Sequence, residues 1–417
     1  MESVAIAAAL VVAYGAVSRR LASTLVTGPM AFVTAGLLLG DGGLGVLDLG
    51  LDEAGVRIVA EATLVLVLFV DAIQIKVPRL VHEAQLPARL LTVGLVGTVL
   101  LGTVAALPLF DLHLWEAALL AAVLAPTDAA LGHAVVANPA VPVRIRETLS
   151  VESGLNDGIA LPLVTVFLGL AAEEEALSGR DILSFVGLQL GVGVLVGATV
   201  GFVGGIVIER AAGRGWIDGV FRQLSTLSVA VCAFALSELL GGNGFIAAFV
   251  AGLSFGQVAR AQCPHAADFA EDEGQLLTML TFLLFGASMA GPALTEASVQ
   301  VLLYAVLSLT VVRTVPVAVS LLGTGLSIPT LGFVGWFGPR GLASILFAVL
   351  IVEDADLAVQ SQIVTIVSWT VLLSIFAHGA SARPAAEAYG RHVAAMGAEH
   401  AEHHAGGARA PRDHGGA

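Results

Sequence analysis

Apolar runs follow one another along almost the whole chain, separated only by short polar or Gly/Pro breaks. A helix needs roughly 20 apolar residues to cross a hydrocarbon core of about 30 Å. On that measure the sequence predicts thirteen segments, over residues 4–18, 29–40, 56–75, 87–110, 114–137, 144–171, 182–208, 224–240, 245–258, 275–290, 297–322, 331–352 and 359–381. Residues 225–258 would read as one long helix but for Gly241-Gly242-Asn243-Gly244. Only 12% of the 417 residues are charged, against about 25% in a soluble domain, which excludes a soluble enzyme and a nucleic-acid binder. The 48 glycines fit helices that approach closely in lipid. Two cysteines, Cys232 and Cys263, make no disulfide framework. The fold class expected is an all-α polytopic membrane protein with thirteen transmembrane helices.

Basic residues orient the set, because they concentrate in cytoplasmic connections. Alternating the connections puts 15 of the 19 Lys and Arg residues on one side and two, Arg57 and Arg180, on the other. The basic-poor side carries Asp41, Asp48, Asp52, Glu53, Glu173, Glu174 and Glu175. The N-terminus is therefore expected outside and the C-terminus in the cytoplasm of a cell-membrane protein. The first segment lacks the basic start of a cleavable signal, since Arg19-Arg20 follow the apolar stretch. Residues 1–383 are read as one transmembrane domain and 384–417 as a short disordered tail rich in Ala, Gly and His, with His392, His400, His403, His404 and His414.

An ionisable residue inside a membrane segment costs at least about 2.5–3.5 kcal/mol and marks a functional candidate. The fifth segment contains Ala125-Pro126-Thr127-Asp128, where proline frees carbonyls beside a carboxylate. In the sixth, Glu152 and Asn156, and Ser153 and Asp157, are four apart, so four oxygen-bearing side chains share one face. The twelfth carries Gly338-Pro339-Arg340-Gly341. The fifth and twelfth segments are each fourth in their half of the chain, and matched breaks of this kind point to a transporter site. Arg313 lies in segment eleven and Glu61 near the start of segment three. Arg313, Arg340, Glu61 and Glu152 also fit the plainer role of ion pairs joining helices, since a guanidinium keeps its proton. Asp128 and Asp157 suit exchange instead: a desolvated carboxylate holds either a proton or a small hard cation.

These motifs resemble the NhaP/NHE-type monovalent cation:proton antiporters, in Pro126-Thr127-Asp128, in Glu152-Ser153-Gly154-Leu155-Asn156-Asp157-Gly158 and in Gly338-Pro339-Arg340-Gly341-Leu342-Ala343-Ser344. The resemblance implies an inverted-repeat antiporter fold with two discontinuous crossing helices, working as a homodimer. Its core bundle would cover about residues 56–171 and 275–381, and its dimerisation bundle about 1–55 and 224–258. Residue by residue, it implies that Asp157 binds cation and proton in turn and that Asp128, Ser153 and Thr127 complete a Na+ site. Asn156, where an electrogenic family has a second Asp, would leave one exchangeable charge and make exchange electroneutral. Arg313 would pair with Glu152, and Arg340 would neutralise the crossing with Glu61. Many members have Asp-Pro where this chain has Asp128-Ala129, so the break is placed at Pro126.

The function expected is therefore secondary Na+/H+ antiport, with no enzyme activity and no cofactor beyond transported Na+ (or Li+ or K+) and H+. A K+/H+ exchanger on the same scaffold is the alternative. An organic-anion transporter is disfavoured by two carboxylates at the crossing. With one lysine, Lys76, in Ile75-Lys76-Val77, the chain has no nucleotide-binding P-loop for a primary pump.

Overall fold

The computed structural model describes residues 2–21, 24–40, 42–47, 53–74, 85–172, 179–259, 263–354, 357–396 and 402. Among these residues every regular element is helical. In chain order they are α1 (Glu2–Leu21), α2 (Gly28–Leu39), α3 (Glu53–Gln74), α4 (Gln85–Ala106), α5 (Leu114–Val123), α6 (Ala129–Val136), α7 (Val143–Ala172) and α8 (Gly179–Gly213). There follow α9 (Gly219–Leu239), α10 (Gly244–Val258), α11 (Cys263–Leu284, continued through a π-helical turn to Thr295), α12 (Val299–Ser320, interrupted at Thr310), α13 (Ile328–Trp336), α14 (Leu342–Asp354) and α15 (Gln360–Ala394). Eight of the described helices are long and apolar enough to cross a membrane, and four shorter apolar ones accompany them.

The solvent inside the bundle is the opposite of the one outside it. On α4 the exposed residues Val93, Val96, Leu100 and Val104 recur every three or four positions and form an apolar outer stripe; Val299, Leu303 and Val306 do the same on α12. The buried set includes Thr98, Glu152, Asn156, Asp157, Arg313 and Arg340. Apolar outside and charged inside is the arrangement a hydrocarbon solvent demands.

Small residues hold these helices together. Gly193, Gly197 and Gly201 form a stripe on α8 that lies against Asn243, just before α10, and Ala247 and Ala251 of α10. The opposite side of α10 presents Gly252 and Gly256 to the backbone of α3 at Phe69 and Ile73, so close that a Cβ would collide with the carbonyl of Phe69. Gly252→Leu should therefore force α10 off α3 and cost about 1–3 kcal/mol. Thermal unfolding in detergent would read this as a lower Tm, whereas Gly191→Ala, with open space around it, should leave the Tm unchanged or slightly raised. The Gly-rich break between segments eight and nine is a true turn: Gly241 sits at φ +77, and Asn243 caps α10 by accepting from the Ile246 N–H at 3.0 Å.

α15 runs through Pro384 to Ala394, past the point where composition placed the start of a disordered tail. The reason is a stripe at positions 382, 386, 389 and 393 that is buried in a second apolar cluster with Leu90, Ile145, Val317 and Phe333. Alanine and glycine around it hide that stripe from a hydropathy reading. Beyond the helix, Glu402 lies on the start of α13, its carboxylate accepting from the Ser327 N–H at 2.9 Å and the Thr330 hydroxyl at 2.8 Å. The tail histidines His400, His403, His404 and His414, the sole lysine Lys76, and Glu173, Glu174 and Glu175 lie outside the described residues.

Candidate functional site

The site is built where two helical paths stop and restart. α5 ends at Val123 and α6 begins at Ala129; α13 ends at Trp336 and α14 begins at Leu342. The two linking stretches are bonded to each other, the Asp128 N–H donating to the Pro339 carbonyl at 2.8 Å. The Ser344 hydroxyl donates to the Val123 carbonyl at 2.8 Å and satisfies one of the acceptors left bare at the end of α5.

Asp128 has a fully committed carboxylate. One oxygen accepts from the Leu131 N–H at 2.8 Å and caps α6; the other accepts from the Leu342 N–H at 2.5 Å and caps α14. A carboxylate placed at two helix N-termini meets both sets of orphan donors and both positive dipole ends. The approach needs Gly341, where a Cβ would collide with the Asp128 carboxylate, and Gly338, where one would collide with the Arg313 guanidinium. The two glycines of Gly338-Pro339-Arg340-Gly341 thus make room for one charge each.

On α7 the four polar side chains divide into two functions. Glu152 forms an ion pair with Arg313 of α12 at 2.6 Å, both fully buried. Asn156 donates from Nδ2 to the Thr127 hydroxyl at 2.5 Å, and the Thr127 and Ser153 hydroxyls are 3.1 Å apart. The Asp157 Oδ1 and Asn156 Oδ1 oxygens remain buried with no hydrogen-bond partner. Buried acceptors without donors are costly unless something else occupies them.

Arg340 departs from expectation. Its Nη1 donates to the carbonyls of Pro126 at 3.3 Å and Gly338 at 3.2 Å, so it closes the crossing through backbone oxygens. Glu61, half-buried on α3, is not among its hydrogen-bond or ion-pair partners. The nearby charges that Arg340 feels are Arg313 and Glu152. Asp71, on the same helix as Glu61, is an acid that the motifs above do not include, and it interacts electrostatically with both Asp157 and Asp128. Its signal was available: it is an acid set within the apolar run of segment three. Among the described residues no group of three or more His, Cys, Asp or Glu side chains has the geometry of a dedicated metal cage.

These features define a polytopic membrane protein with a charged, hydrogen-bonded interior organised around two interrupted helical paths. The chain belongs to the family described as sodium/hydrogen exchanger, transmembrane, whose model matches residues 6–388. It is 25% identical to the K(+)/H(+) antiporter NhaP of Alkalimonas amylolytica, over 76% of this chain and 55% of the relative. It is 26% identical to the K(+)/H(+) antiporter NhaP2 of Shewanella sp. (strain ANA-3), over 92% of this chain and 65% of the relative. The chain thus spans between about half and two thirds of the length of these curated relatives. Its fold matches the solved sodium proton antiporter MjNhaP1 of Methanocaldococcus jannaschii with a TM-score of 0.76 at 20% identity, covering 93% of this chain and 99% of that one.

Proposed function

We propose that this protein exchanges a monovalent cation for a proton across the cell membrane by alternating access around Asp157. The observation that carries the reading is the pair of buried, unpartnered oxygens on α7, Asp157 Oδ1 and Asn156 Oδ1, with the Asn156 side chain bonded to the Thr127 hydroxyl, which lies 3.1 Å from that of Ser153 at the broken helix. An alkali ion supplies positive charge to oxygen donors of this kind, and a proton on Asp157 supplies the same neutralisation when the ion leaves. Cation and proton then compete for one carboxylate, and either gradient drives the other without fuel or cofactor. Asp128 serves this site by capping the two helix ends that frame it, and Asp71 adds negative potential from α3. Asn156 keeps the site at one exchangeable charge on α7, which supports electroneutral exchange.

The thirteen apolar segments are proposed as thirteen crossings in an inverted-repeat arrangement, with α5–α6 and α13–α14 as the two discontinuous helices. The N-terminus would lie outside, the C-terminus would be cytoplasmic, and two copies would form a homodimer through the α1, α2, α9 and α10 side. Na+ is the leading substrate. K+ is the second reading, favoured by the names of the curated relatives above. Purified protein in liposomes holding a pH gradient distinguishes them: collapse on adding Na+ or Li+ supports the first, collapse with K+ alone the second, and no collapse with any of the three would overturn antiport. Exchange should also fall towards acid pH, because protons outcompete the cation at Asp157. Raising the cation concentration should move that acid limb to lower pH, and a limb that ignores cation concentration would argue against a shared site.

A further inference from the structure

Both linking stretches must stay in register for Asp128 to cap two helices, yet the stretch at 337–341 has no regular backbone ladder of its own. It is gripped by α15. The hydroxyl of Ser374 accepts from the Arg340 N–H at 2.7 Å, and His378, one turn further on, lies with Nδ1 3.2 Å from that hydroxyl. The other ring nitrogen, Nε2, is 2.9 Å from the Trp336 carbonyl. The imidazole stacks on the Trp336 indole at 4.8 Å between ring centres, and the indole N–H donates to Ser381 at 3.0 Å. Ser374, His378 and Ser381 recur at helical spacing and so form one stripe.

We infer that His378 and Ser374 are positioning residues for exchange: together they bind the last carbonyl of α13 and the Arg340 N–H before α14, locking the break to α15. This rests on the antiport reading for its consequence in transport, but not for the clamp itself. Each ring nitrogen lies near a carbonyl, and a neutral ring donates through one of them only; with Nε2, whose sole partner is the Trp336 carbonyl, as the donor, Nδ1 accepts the Ser374 hydroxyl proton. The Ser374 hydroxyl oxygen is then free to take the Arg340 N–H. The Ser374 carbonyl, 3.0 Å from Nδ1, belongs to the preceding turn and serves the backbone ladder of α15. One unbroken chain of donors thus runs from the Arg340 N–H through Ser374 and His378 to the Trp336 carbonyl. It satisfies the orphan Arg340 N–H and gives the Trp336 carbonyl, which also accepts from the Gly338 N–H at 2.8 Å, a second donor from α15. Through the Pro339 carbonyl and the Leu342 N–H, both bonded to Asp128, the clamp also holds the acid that frames the ion site.

The test compares His378→Leu, His378→Gln and Ser374→Ala with the unaltered protein, by amide hydrogen exchange of the peptide covering 337–345 and by cation-dependent proton flux in liposomes. His378→Leu removes the side-chain donor that ties the Trp336 carbonyl to α15, and Ser374→Ala removes the acceptor for the Arg340 N–H, so both should speed exchange of these amides at least about tenfold. The same variants should raise the cation concentration for half-maximal flux by about tenfold, whereas His378→Gln, whose amide can still donate to the Trp336 carbonyl, should stay within about twofold. Unchanged amide protection in both the His378→Leu and Ser374→Ala variants overturns the clamp, whatever the flux. Loosened amides with unaltered flux parameters would confine the clamp to structure and overturn the positioning role. Should His378→Leu fail to fold, Ser374→Ala carries the same two readouts. A wild-type protein without flux but with the amide pattern above would instead count against antiport and leave the clamp standing.

Discussion

Asp157→Asn should reduce cation-driven proton flux to the level of protein-free vesicles while leaving yield and Tm close to those of the wild type. The amide keeps the volume of the carboxylate and can still hydrogen-bond, so packing between α7 and its neighbours survives. It cannot carry a proton, and it cannot neutralise a cation, so both halves of the cycle lose their binding partner. The expectation is sharper for Asp157 than for Asp128 because of what each carboxylate touches. Asp128 is occupied on both oxygens by backbone donors, so Asp128→Asn should weaken the helix caps and lower Tm as well as flux. Asp157 keeps a buried oxygen with no partner. Measurable flux in Asp157→Asn would remove the central claim, and a fall in Tm equal to that of Asp128→Asn would make it a structural acid.

Breaking the Glu152–Arg313 pair should be the most damaging change to stability. The two side chains meet at 2.6 Å with almost no exposure, and stranding one member of a buried ion pair costs about 3–5 kcal/mol. Arg313→Met and Glu152→Gln should each lower yield and Tm together with flux. Changing both at once removes two buried charges together and should recover most of the Tm. If the pair only joins α7 to α12, the double variant should also regain flux. Restored Tm with no flux would give the pair a part in transport, and a double variant as unstable as either single would argue that the two residues are not coupled.

Much of the architecture was legible in the sequence because the bilayer acts on each segment separately. Apolar length decides whether a helix can lie in hydrocarbon, and the Pro126 and Pro339 stretches announce where a backbone ladder must fail. Ser153, Asn156 and Asp157 could be placed on one face from spacing alone, and the structure brings Ser153 and Asn156 to Thr127. Asp71 was missed although its chemistry is plain, since no short-range pattern links it to residues on other helices. The partner of Arg340 was misread for a related reason: charge matching suggested an acid, whereas freed carbonyls at a broken helix are equally good acceptors and lie nearer.

Sequence by itself determined that this chain lives in a membrane and which apolar segments carry buried acids. These follow from transfer free energies and from local periodicity, which sum over neighbouring residues. Tertiary structure alone decided that Asp128 is a double cap, that Gly338 and Gly341 exist to admit Arg313 and Asp128, and that α15 extends past Pro384 and grips the break through Ser374 and His378. Each of these depends on groups far apart along the chain, 214 residues in the case of Asp128 and Leu342. A buried polar atom takes whichever partner the packing of helices brings within about 3 Å, and that choice is made only when the bundle closes.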